Sequence, residues 1–228
     1  MSAAPRAPLR IAILISGRGS NMLAIARAAR AGQLHAHVVT VISDRADAPG
    51  LRSAAELGIG CAVVSPLPGQ ERADYGRLLA QAIRPHAVDA VALAGFMRIL
   101  APQFVHEFAG RLLNIHPSLL PKHRGLHTHQ RVLDSGDREH GCSVHFVTEE
   151  LDGGPVVIQA RVPVYADDTI ATLSARVQAQ EHRIYPMTLE WLANGRLQWR
   201  EGAAWLDARR LDDPVVLDAG AAAQAGTQ

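Results

Sequence analysis

Leu9-Arg10-Ile11-Ala12-Ile13-Leu14-Ile15 is a nearly unbroken aliphatic run, as a central parallel strand covered on both faces requires. It leads into Ser16-Gly17-Arg18-Gly19-Ser20-Asn21 and then into an alanine-rich helical pattern over 22–30, stopped by Gly32. A strand, a glycine-rich turn and a helix start form an anion site, because unpaired backbone N–H groups and the positive end of the helix dipole converge on one spot. The turn matches neither G-x-G-x-x-G nor the Walker pattern, so neither a dinucleotide nor ATP is indicated. Alone, the pattern is equally that of a helix capped by Ser20 or Asn21.

The alternation continues outward. Strand patterns cover 37–42, 61–64 and 88–93, and helices are expected over 49–57, closed by Gly58, and over 73–83. Alternating elements with short connections predict a parallel sheet wrapped on both faces, with ligands at the carboxyl ends of the strands. From Gly125 the pattern changes. Residues 126–133 read as a helix and 141–148 and 156–164 as strands, and the Asp152-Gly153-Gly154-Pro155 turn between them suits antiparallel neighbours. The expected fold is therefore α/β: a mostly parallel twisted sheet with helices on both faces, mixed with antiparallel strands in its C-terminal part. A long helix over 169–194 stops at Gly195 and a short strand follows at 196–199. The tail beyond Pro214 is Ala-, Gly- and Gln-rich with no apolar period.

With 228 residues, 48% hydrophobic and 20% charged, the chain has material for one α/β domain and is not a disordered polymer. Lys plus Arg number 23 and Asp plus Glu 22, so no global basic excess points to a nucleic acid. The apolar runs are too short to cross a membrane, and residues 1–8 lack the continuous apolar segment of a secretory leader. Cys61 and Cys142 are too few for a disulfide framework and both read as buried reduced thiols, which fits a cytoplasmic protein. The expected layout is a flexible 1–8, one catalytic unit over 9–207, and a tail over 208–228 that is disordered toward its end. Within the unit, 9–110 would be a phosphate-binding half and 111–207 the half that carries the chemistry.

Leu112-Leu113-Asn114-Ile115-His116 is short and apolar enough for a buried strand, and Pro117 ends it. Asn114 and His116 stand two apart, so both leave the sheet on one face at the strand's end. An amide N–H can donate to an oxyanion and an imidazole can give or take a proton near neutral pH, which is a minimal kit for transfer at a carbonyl. An isolated N-x-H pair is more often a buried Asn and His satisfied by backbone groups.

The longer string Asn114-Ile115-His116-Pro117-Ser118-Leu119-Leu120-Pro121, with Gly125 after it, resembles the signature of the folate-dependent formyltransferases. The resemblance extends from the first strand to Trp205-Leu206-Asp207. It implies a formyltransferase-like fold and 10-formyltetrahydrofolate as cosubstrate, with no tightly bound cofactor and no metal. It also implies a catalytic set: Asn114 to donate to the oxyanion, His116 to stabilise it and relay protons, and Asp152, from the Leu151-Asp152-Gly153-Gly154 turn, to lie beside His116. The implied folate contacts are Arg72, Met97, Arg98, Ile99, Leu100 and Asn114, with Thr148, Glu149, Glu150, Leu151 and Asp152 completing the pocket. Gly19, Ser20 and Asn21, together with Gln178, Ala179, Gln180 and Glu181, resemble the substrate segments of those members that formylate glycinamide ribonucleotide. Glu181 there would pair with the substrate's amino end. Each position also has an ordinary reading: a turn aspartate, an exposed arginine, a solvated helix face. His123-Arg124 departs from the family pattern, where an aromatic residue and a proline are common, and it touches the rim of the substrate site.

Members that formylate initiator tRNA carry a further domain, and those that hydrolyse formylfolate usually carry a regulatory domain ahead of the catalytic one. Here the first strand begins at Leu9 and the tail is short. A metal-binding module built on His127, His129 and His145 lacks a cysteine pair or H-E-x-x-H to accompany it. The expected activity is formyl transfer from 10-formyltetrahydrofolate to the amine of glycinamide ribonucleotide in purine biosynthesis. The expected agent is a monomer or homodimer that binds neither nucleic acid nor membrane.

Overall fold

The computed structural model describes residues 6–218. In its first half, β1 (Leu9–Ile15), β2 (Ala36–Ser43), β3 (Cys61–Val63), β4 (Ala90–Leu93) and β5 (Leu112–His116) alternate with α1 (Ser20–Arg30), α2 (Pro49–Glu56), α3 (Arg72–Ile83) and α4 (Pro102–Glu107). Then come α5 (Thr128–Ser135), β6 (Glu139–Phe146), β7 (Val156–Pro163), α6 (Ile170–Ala193), β8 (Leu197–Arg200), β9 (Ala203–Leu206), β10 (Arg209–Arg210) and β11 (Val215–Asp218). Eight strands form one sheet in the order β11-β7-β6-β5-β4-β1-β2-β3. β1 to β5 pair in parallel, whereas β6 runs antiparallel to both β5 and β7. The mostly parallel sheet with a mixed C-terminal part is the expected architecture.

β1 shows why its residues must all be apolar. Ile11, Ile13 and Ile15 enter the core layer shared with α1 and α6, while Ala12 and Leu14 enter the opposite layer with α3 and α4. All five are fully buried, and each buried Ile or Leu contributes about 1.5–3 kcal/mol. α6 begins at a reciprocal cap, in which Thr169 Oγ1 accepts from the Thr172 N–H at 3.2 Å and Thr172 Oγ1 from the Thr169 N–H at 2.9 Å. Its fully buried Tyr185 donates its hydroxyl between the carbonyls of Leu93 (3.2 Å) and Leu113 (3.0 Å). That contact fixes α6 against β4 and β5, the two strands whose ends carry the site.

Four expectations change. Cys61 is exposed; only Cys142 is buried, because β3 is a three-residue edge strand with one flank open. α4, which has Pro102 in its first turn, had no sequence counterpart: its period is only six residues long. β8 pairs with β9 and β9 with β10 in a separate small sheet, of which only the first strand was expected. The tail is not structureless beyond Pro214, since Val215-Val216-Leu217-Asp218 pairs in parallel with β7. Two valines of strong strand propensity and a leucine suffice there because they complete an open edge. Residues 1–5 and 219–228, where much of the expected terminal disorder falls, lie outside the described residues.

Candidate active site

The carboxyl ends of β1, β4 and β5 open into a cleft of about 310 Å³ lined by the turn 16–21, Ala94, Gly95, Met97, Ile115, Pro117 and one face of α6. Gly19 takes φ 71° and lies so close to Gly50 that an added Cβ would sit 3.0 Å from that residue's Cα. The α1 ladder starts only with the Leu23 N–H to the Gly19 carbonyl at 2.9 Å, so earlier N–H groups of the first turn face the cleft without helical partners. Gln178 donates to Ser20 Oγ at 3.0 Å, and Asn21 Nδ2 donates to Glu181 Oε2 at 2.8 Å. Glu181 is 8% exposed, and burial pushes its carboxyl up against the lowering bond from Asn21. The cleft thus pairs a turn with unpartnered main-chain N–H groups with a buried carboxyl.

Beside it, a smaller cavity of about 100 Å³ is lined by Leu93, Phe96, Arg98–Leu100, Val105, Asn114, His145 and 147–152. Asn114 Nδ2 meets His145 Nε2 at 3.2 Å, and the Phe146 carbonyl accepts from His145 Nδ1 at 2.9 Å. Burial brings His145 down to about 4, so its ring is neutral near pH 7. Nε2 then has only a lone pair, which takes one Asn114 N–H and fixes the amide with its second N–H free. His116, 6% exposed, faces Asp152 from behind: its Nδ1 lies 3.4 Å from Asp152 Oδ2. The Gly125 N–H donates to the same Asp152 oxygen at 2.9 Å, and Asp152 holds φ 49°. His116 Nε2–H is committed to the His123 carbonyl at 3.1 Å. A proton on Nδ1 would therefore give Asp152 a charged donor.

Asn114, His116 and Asp152 are brought together, as are Gly19, Ser20, Asn21, Gln178 and Glu181. The helix period turns Ala179 and Gln180 away from the cleft, which α6 lines instead with Ser174, Gln178 and Glu181 at spacings of four and three. Ser174 could have been found from that period. Ile99, Leu100, Thr148, Glu149, Glu150 and Leu151 line the smaller cavity, while Met97 lines the larger. Arg98 reaches both the smaller cavity and Asp44, donating to its Oδ2 at 2.8 Å. Arg72 stands exposed at the start of α3 and lines neither. Glu149 pairs with His106 and Glu150 with Arg124. Reading the sequence singly missed the orienting role of His145, which rests on β6 lying antiparallel to β5 with His145 opposite Asn114. Among the described residues no group of three His, Cys, Asp or Glu side chains is placed to hold a metal ion.

The family model described as formyl transferase matches residues 9–189, which include every residue of this constellation. The chain belongs to the formyl transferase family. This formyl transferase is 54% identical over 203 residues to the phosphoribosylglycinamide formyltransferase of Escherichia coli (strain K12), covering 89% of this chain and 96% of that protein. The Haemophilus influenzae phosphoribosylglycinamide formyltransferase is 44% identical over 202 residues, at 89% and 95% coverage. In three dimensions it is similar to the phosphoribosylglycinamide formyltransferase of Coxiella burnetii, with a TM-score of 0.88, 44% identity, and 92% and 99% of the two chains covered.

Proposed function

We propose that this formyl transferase moves the formyl group of 10-formyltetrahydrofolate to the amino group of N1-(5-phosphoribosyl)glycinamide, a step of purine biosynthesis. The observation that carries the reading is the 3.4 Å approach of Asp152 to His116 at the end of β5. The phosphate sits on Gly19, Ser20 and Asn21, and the amine lies toward Glu181 until it gives up its proton. Folate fills the smaller cavity, against Ile99, Leu100 and the 148–152 loop.

The amine nitrogen attacks the formyl carbon, a C–N bond forms, and negative charge gathers on the formyl oxygen. The free Asn114 N–H and the His116 ring, charged and paired with Asp152, stabilise that oxygen. The bond to folate N10 then breaks as N10 takes up a proton by way of His116 Nδ1 and Asp152, matching the one lost by the amine, while Nε2–H stays on the His123 carbonyl. Residues 9–110 supply the phosphate site and 111–207 the chemistry. The reaction needs no resident cofactor or metal and no nucleic acid, and runs in a monomer or homodimer. A cytoplasmic setting is supported by two unpaired thiols, and among the described residues no helix is long and apolar enough to cross a membrane.

The test offers purified protein 10-formyltetrahydrofolate with glycinamide ribonucleotide, with charged initiator tRNA, or with water alone. Consumption in the first arm only is expected. Turnover with tRNA or water at a comparable rate overturns the acceptor assignment.

A further inference from the structure

We propose that Asp137, acting through the His123 ring, is a positioning residue that holds His116 for catalysis; this rests on the formyl-transfer reading above. His116 Nε2 is anchored on one atom, the carbonyl oxygen of His123, at 3.1 Å. The loop carrying that carbonyl, 117–125, is fixed by β6 and β7 only over its first residues. Ser143 Oγ donates to the Ser118 carbonyl at 2.6 Å and accepts from the Leu120 N–H at 3.1 Å, and Gln159 donates to the Leu120 carbonyl at 2.7 Å. These bonds stop at Leu120. Beyond it, the Lys122 N–H donates to the Leu119 carbonyl at 3.1 Å and Ser118 Oγ to the Lys122 carbonyl at 2.7 Å, while on the far side Arg131 donates to the Arg124 carbonyl at 2.6 Å and the Gly125 N–H to Asp152. Between these, residue 123 is held by its side chain, whose Nε2 meets Asp137 Oδ2 at 2.8 Å.

That side chain has work to do. His123 adopts φ 53°, a conformation that costs a residue with a Cβ of order 1 kcal/mol and that relaxes unless its surroundings hold it. A relaxed residue 123 turns its carbonyl, and His116 loses its Nε2 partner. Asp137 is well placed to prevent this, because it stands in the middle of the short connection 136–138 between α5 and β6, outside the segment it steadies. The His123 side chain is 13% exposed and that of Asp137 24%, so their bond is largely shielded from water, unlike the second partner of Asp137, Lys122 Nζ at 3.0 Å with a side chain 64% exposed. An exposed lysine pair contributes little. The series Asp137, His123, His116, Asp152 therefore fixes the catalytic ring from both nitrogens, and its outer half consists of residues that touch neither ligand cleft.

The experiment compares the full chain with Asp137→Ala, Asp137→Asn, His123→Phe and Lys122→Met, measuring kcat, both KM values and ring nitrogen spectra with ¹⁵N-labelled histidine, the His116 signals being assigned by their loss in His116→Ala. Asp137→Ala and His123→Phe should lower kcat about tenfold, given the sensitivity of transfer to misplacement of a catalytic group, with each KM within about twofold and the His116 Nε2–H signal shifted and faster to exchange. Asp137→Asn keeps an acceptor for His123 Nε2–H and should recover kcat to within about twofold of the parent; Lys122→Met should match the parent. Parental kcat, or an unmoved His116 signal, in both Asp137→Ala and His123→Phe overturns the proposal, as does Asp137→Asn failing as badly as alanine. If Asp137→Ala does not fold, His123→Phe, which keeps the ring volume, decides alone. Parent enzyme that does not formylate glycinamide ribonucleotide counts against the function, while the His116 spectra still decide the anchor.

Discussion

The two halves of the candidate site are built in opposite ways. At the β1 end, six consecutive residues, 16–21, present main-chain N–H groups to the cleft, with α6 adding Ser174, Gln178 and Glu181 across from them. At the β5 end, the groups come from a strand (Asn114, His116), its antiparallel neighbour (His145), and two loops, 117–125 and 148–153, which meet where Gly125 N–H binds Asp152. A backbone site tolerates replacement of its side chains, because its donors belong to the fold. A side-chain site depends on each member and on whatever orients it. Substitutions at the β5 end should therefore lower kcat, and those at the β1 end should raise KM.

The largest effect expected is at the β5 end. Asp152→Asn keeps a side chain that tolerates the left-handed conformation at φ 49°, so the fold should survive while the charge facing His116 is lost. We expect kcat to fall about 10²-fold or more, with the KM for glycinamide ribonucleotide within about threefold and an unchanged melting curve. His116→Ala should do the same. A fall in kcat matched by an equal rise in that KM would show that the two ends cannot be separated.

The β1 end should respond differently, through Glu181. Burial raises this carboxyl, with the Asn21 bond opposing, so the folded chain binds its proton more tightly than the unfolded chain does. A raised acid favours folding below the unfolded-state value and loses that contribution as pH rises through the folded value. Glu181→Gln should thus match the parent's stability near pH 4 and exceed it at pH 7 by about 0.5–2 kcal/mol, the usual range for relieving a single unfavourable group. Its KM for the amine substrate should meanwhile rise about tenfold with little change in folate KM. Urea unfolding at the two pH values and steady-state kinetics measure both. A variant less stable than its parent at pH 7 would mean that the Asn21 bond outweighs the burial cost.

The same contrast governs what could be read without coordinates. Turn 16–21 was legible because its signal is local: an aliphatic strand, two glycines and a helix start in one run. The Asn114–His116 spacing was legible for the same reason, and Asp152 joined it only through resemblance, since nothing in the 35 intervening residues fixes where a hairpin tip comes to rest. Ala179 and Gln180 came with the resemblance of the segment 177–182, and the helix period leaves only Gln178 and Glu181 of its assigned residues on the cleft. His145 needed the β5–β6 register, and the pairing of His123 with Asp137 needed the path of two loops. What the sequence hid is tertiary in each case: an element boundary or a register, with no residue pattern of its own.

The smallest effect expected is farthest from either end. In β11, Val215 and Leu217 are half-buried against the main core and Val216 and Asp218 face outward. Replacing Val215 and Leu217 together with alanine removes two partly buried aliphatic side chains, each contributing less than the 1.5–3 kcal/mol of full burial, and some of that loss is offset by the freedom the strand regains. A net loss of about 1 kcal/mol follows, visible as a lower unfolding midpoint. Among the described residues β11 pairs only with β7, and β7 reaches the site through Gln159, which holds the 117–125 loop by the Leu120 carbonyl. If the outer strand merely covers an edge, kcat and both KM values stay within about twofold of the parent. If kcat drops instead, β7 passes strain from the edge to the loop that carries the His123 carbonyl, and the β5 end extends three strands further than its side chains indicate.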